Sequence, residues 1–92
     1  LHDALPILVF PELTEERRKD LVKEVKKKGE AAKVAIRNIR RDANDMLKKL
    51  GKTDVSEDEI AELEDSVQKM TDKFIKKVDE AVEVKSKEIL TV

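Results

Sequence analysis

Only five residues, Gly51–Val55 (GKTDV), separate two long helical patterns, and so short a link leaves the helices one arrangement, as antiparallel neighbours. Upstream, apolar residues recur at Leu21, Val25, Ala32, Ile36, Ile39, Ala43, Met46 or Leu47, and Leu50. These steps of three, four or seven are the helical period. Downstream, Ile60, Leu63, Val67, Met70, Phe74, Val78 and Ala81 repeat the rhythm. The caps agree with both patterns. Thr14 precedes Glu15 and Glu16, carboxylates suited to the positive end of a helix dipole, and Ser56 with Glu59 forms a capping box. Gly51, after Lys48 and Lys49 in the final turn, reads as a natural C′ residue. The expected fold is therefore all-α. It is a long antiparallel two-helix hairpin with helices at about 14–50 and 56–90, each about 50 Å long at 1.5 Å per residue.

Two details qualify that hairpin. Gly29 interrupts the first pattern at a cost of about 1 kcal/mol relative to Ala, so it marks a weak point or a close packing contact. Ile75, Val82 and Ile89 lie beside the main stripe of the second helix, so a lone pair of helices would leave apolar surface wet. A third helix is expected, from the same protein or from another molecule. Residues 1–13 form an irregular N-terminal segment in which 1–6 stay unplaced. Its apolar run Leu1–Phe10 is broken by Pro6 and too short for a bilayer, which needs about 20 residues. A soluble, cytoplasmic protein with no membrane partner is expected.

Charge supplies the functional signal. Charged residues make up 45% of the chain, and the net charge of −1 hides an asymmetry. Thr14–Leu50 holds 13 Lys/Arg against 7 Asp/Glu, a balance of +6. Gly51–Val92 holds 7 against 12, a balance of −5, and the first 13 residues add −2. At 100° per residue, Lys26, Lys33, Arg37 and Arg40 line up about a quarter-turn from the apolar centre of the first helix, with Asn44 continuing the line and Arg41 just outside it. Such a stripe is either a solvated charged face or a seat for a phosphate backbone, where Arg bonds bidentately and Lys acts as a point charge. No aromatic residue interleaves with it, so recognition would read phosphate position and shape, without base stacking. Arg17, Arg18 and Lys19 oppose the dipole of their own helix. Either they serve binding or they pair with Glu15, Glu16 and Asp20.

Catalytic chemistry finds no foothold. There is no Cys, His2 is the lone histidine, and the carboxylates of Glu57–Asp65 lack Ca²⁺-loop spacing and suit a solvated helix face. Met46 and Met70 read as core packing. No enzyme activity and no cofactor are expected.

The order of residues adds a resemblance. Phe10–Leu21 (FPELTEERRKDL), Val34–Asp45 (VAIRNIRRDAND), Val55–Glu59 (VSEDE), Val67–Lys77 (VQKMTDKFIKK) and the terminal stretch Val82–Val92 resemble the ribosome recycling factor family from about Ile7 onward. The resemblance implies a three-helix bundle of which this hairpin is the C-terminal part, with a second domain inserted before it in the whole factor. It implies binding to large-subunit rRNA and release of ribosomes from mRNA after termination, together with elongation factor G. It places the rRNA-contacting arginines at Arg37, Arg40 and Arg41, and one at Arg17 or Arg18; Lys33 and Lys26 would steer. The rival reading is an interaction hairpin that self-associates through its open apolar flank into a four-helix bundle.

Overall fold

In the computed structural model, which describes residues 14–91, the chain folds into two antiparallel helices. Helix α1 spans Glu15–Leu50 and α2 spans Glu57–Leu90. His2, Pro11 and the apolar run Leu1–Phe10 lie outside the described residues.

Both helix starts are built by the residues that announce them. Thr14 is extended, and its Oγ1 accepts from Arg17 N at 3.0 Å; Ser56 Oγ accepts from Glu59 N at 3.2 Å. Each bond satisfies one of the orphan donors of a first turn. The end of α1 falls at Gly51, without the left-handed turn that a glycine there often makes. Gly51 has φ −63° and ψ −14°, right-handed, and no described residue has a positive φ. The last carbonyls are taken instead by tightening bonds, Lys52 N to Lys49 O at 3.2 Å and Thr53 N to Leu50 O at 2.9 Å. Thr53 Oγ1 also donates to Leu50 O at 2.5 Å. With those acceptors filled, no left-handed cap is needed.

The seam between the helices follows a narrower line than the apolar pattern suggests. Val22, Gly29 and Leu47 of α1 and Ile60 and Thr71 of α2 are its buried positions, with Val25, Ile36, Ala43, Val67, Ile75, Val78, Val82 and Ile89 half-buried along it. Thr71 settles its hydroxyl by donating to Val67 O at 2.8 Å. Leu63, Met70 and Phe74, read from the sequence as the main stripe of α2, stand between 45% and 55% exposed. Ile75, Val82 and Ile89, read as the flank, pack in the seam. Ile39 and Met46 of α1 are likewise 68% and 66% exposed. The physical reason is that each helix carries more apolar width than one neighbour can cover.

Gly29 turns out to be a close-packing contact. A Cβ built there would sit 2.5 Å from Val82 Cγ2, so a hydrogen in that place lets the backbones approach. Two helices side by side bury little, and no side chain is fully buried among the described residues.

Candidate nucleic-acid interface

The seam divides α1 into two unlike flanks. On one side lie Ile39, Met46 and Leu50, which with Leu63, Met70 and Phe74 of α2 make the open apolar face. A groove of 390 Å³ runs along it, lined by Ile36, Ile39, Ala43, Val67, Met70 and Phe74 with Arg40 and Thr71. On the other side lie Lys26, Lys33, Arg37 and Asn44, spaced seven, four and seven residues apart and therefore stacked along one edge. Arg41 stands one turn beyond Arg37 and is exposed. Lys19, seven residues before Lys26, and Lys48, seven after Arg41, prolong this ridge and are exposed. From Lys19 to Lys48 it covers about 44 Å at the helical rise. Reading only the tightest alignment on a wheel misses Lys19 and Lys48; the seven-residue step finds them.

The cations singled out by the sequence meet different fates. Lys26 and Arg41 are exposed, and Arg37 is half-buried beside the seam. Lys33 is engaged: its Nζ lies 2.8 Å from Asp79 Oδ1 on α2 and 2.8 Å from Glu30 Oε1 one turn back. Hydrogen bonds to Asp79 first and Glu30 second raise its pKa above the ordinary lysine value. A raised folded value means that this contribution to stability is complete at neutral pH and is lost only as pH climbs through the alkaline range. Arg40 packs into the seam, where its Nε and the Oδ1 of Asn44 are buried with no hydrogen-bond partner among the described residues. Arg18 Nη1 donates to Ile89 O at 2.6 Å and to Thr91 O at 3.4 Å. It thus serves the last turn of α2. Arg17 is exposed, but nine residues separate it from Lys26, two and a half turns, which puts it on the opposite side of α1.

Arg18 also resolves an oddity of the sequence. A cation in a first turn opposes its own dipole. In an antiparallel pair that turn lies beside the C-terminal end of the other helix, where unfilled carbonyls attract it.

What this arrangement can do chemically is bind an anionic surface. Lys26, Arg37 and Arg41 line one ridge, and the one ring among the described residues, Phe74, sits on α2 with Lys77 Nζ 5.5 Å over it. No group of three or more His, Cys, Asp or Glu that could hold a metal occurs among the described residues. No described helix is long and apolar enough to cross a membrane.

Comparisons with known proteins bear on the same residues. A family model described as "Ribosome recycling factor" matches residues 4–90, beginning within the stretch 1–6 that the sequence alone leaves unplaced. The ribosome-recycling factor of Lachnoclostridium phytofermentans is 70% identical over 86 residues, covering 92% of this chain and 47% of that protein. That of Agathobacter rectalis is 72% identical over 86 residues, with the same coverage of each. That of Macrococcus caseolyticus is 59% identical over 86 residues, covering 92% of this chain and 46% of that protein. The chain thus spans about half the length of the curated relatives it matches.

Proposed function

The chain belongs to the ribosome recycling factor family, and on that premise we propose that it is the hairpin of a translation factor's helical bundle and binds large-subunit rRNA through the α1 ridge. The observation that carries this reading is the row Lys26, Arg37 and Arg41 along one edge of α1, with Lys26 and Arg41 exposed and Arg37 half-buried, on a helix that belongs to a ribosome-acting family. A rigid cationic row matches a phosphate backbone through counterion release and bidentate arginine contacts. The hairpin unit expected over residues 14–92 is the part of the bundle that would carry this binding. The whole factor releases ribosomes from mRNA after termination, with elongation factor G as partner, in the cytoplasm and without bond chemistry of its own.

The open apolar face completes the proposal. Relatives about twice as long as this chain have residues to spare for a third helix, and the 390 Å³ groove is its seat. That supports an intramolecular bundle over self-association.

The test is co-sedimentation with large ribosomal subunits across a salt titration, with Arg37→Glu and Arg41→Glu alongside. Arg41 is the cleaner probe, because a charge reversal at Arg40 would also disturb the seam. Each reversal should weaken binding and flatten the salt dependence by about one unit of log–log slope. Binding by both variants equal to that of the parent chain, from proteins shown to be helical, would sink the assignment.

A further inference from the structure

Lys33 stands apart from the rest of the ridge because α2 has already answered it. Asp79 and Glu30 both hold its ammonium at 2.8 Å, and its side chain is only 15% exposed while the carboxylates are 57% and 67% exposed. Two carboxylates on one ammonium leave a net negative spot in the middle of a positive ridge. A phosphate reaching for Lys33 must displace a carboxylate in contact and then lie beside both.

Asp79 belongs to a row. Asp65 and Asp72 precede it at seven-residue intervals, two helical turns each, so the three share the edge of α2 that borders the ridge. The first two are answered within α2, Asp65 by Lys69 at 2.9 Å and Asp72 by the amide of Gln68 at 2.9 Å. Of the three, Asp79 is the one that reaches across the seam to α1.

We propose that Asp79 is a specificity element: by occupying Lys33 it bars polyanions from lying over the seam and confines an RNA backbone to the outer side of α1. Discrimination can be built from a repulsive element as well as from attraction, and here the attraction to phosphates is sequence-blind. Lys26, Arg37 and Arg41 then set the track on which a backbone is accepted, and Asp79 sets its boundary. This inference rests on the rRNA reading above.

The experiment compares two probes with the 92-residue chain under a salt titration, large ribosomal subunits and an A-form RNA duplex of unrelated sequence. The variants are Asp79→Asn, Glu62→Gln as a charge-matched change on the far side of α2, and Asp79→Asn combined with Lys33→Gln. Helicity is checked by circular dichroism. Asp79→Asn should tighten duplex binding roughly threefold to tenfold and steepen the salt slope by about one unit. The preference for subunits over duplex should shrink accordingly. Glu62→Gln should do neither, and removal of Lys33 should abolish the gain. Equal gains from Asp79→Asn and Glu62→Gln, or a gain that survives without Lys33, would overturn the proposal. If the parent chain binds subunits and Asp79→Asn adds nothing, the boundary role falls while the rRNA reading stands. If neither chain binds either probe at low salt, both fall.

Discussion

The turn half and the open half of the hairpin are held by different physics. Near the turn, Leu47 and Ile60 are buried, and the backbone closes on itself through bonds between residues three and four apart. Toward the open end, the contacts are long in sequence: Gly29 against Val82, and Arg18 against carbonyls 71 and 73 residues away. A local closure forms with little loop entropy to overcome, whereas a distant one must be repeated contact by contact along the seam. The open half should therefore be where single substitutions separate the helices.

The largest test of that contrast is Gly29→Ala. In an exposed helix interior this change would stabilise by about 1 kcal/mol. Here the new methyl lands 2.5 Å from Val82 Cγ2, and Val is rotamer-locked in a helix, so the side chain cannot swing aside. Overpacking costs about 1–3 kcal/mol, which cancels the propensity gain at the low end and outweighs it otherwise, for an expected net loss of up to about 2 kcal/mol. Thermal melts followed by circular dichroism measure it. Adding Val82→Ala should return most of the loss, and a double-mutant cycle showing no coupling would mean that the helices do not meet there.

The two halves were unequally legible in the sequence for the same reason. Thr14 and Ser56 act within one turn of themselves, so residue type and spacing foretell them. The seam was not foretold in its true direction. A helical wheel averages every apolar residue, and Ile39, Met46, Met70 and Phe74 pull the average toward a face that α2 and α1 leave open. The actual contact line is rotated toward the cations, which is why Lys33, Arg37 and Arg40 end up at the seam edge while Lys26 and Arg41 remain exposed. Asp79 and Arg18 find partners 46 and 71 residues away, distances at which no local pattern speaks.

Arg18→Gln comes next in size. It keeps a donor of similar reach but removes the charge that the last carbonyls of α2 and its dipole favour. A charge-assisted bond of this kind, partly exposed, is worth about 1 kcal/mol. The loss should be local. Amide exchange in the last turn of α2 should quicken while the turn half keeps its protection, and a uniform quickening along both helices would contradict the division into halves. Arg17→Gln, on the opposite side of α1, should leave that exchange pattern alone.

Gly51→Ala is the smallest expected change and has the opposite sign. Gly51 occupies a right-handed conformation open to any residue, and a Cβ there would meet Lys48 O at 3.4 Å, Leu47 O at 3.6 Å and Ile60 Cγ1 at 3.7 Å, ordinary contacts. With no strain to offset it, the gain comes from the unfolded chain, which has fewer conformations to lose, and amounts to about 0.4–1 kcal/mol. A rise in melting temperature would therefore fit a turn closed by the Lys52 and Thr53 amides. A fall would mean that the glycine turns left-handed in solution and that the turn half, too, depends on a conformation only glycine enters cheaply.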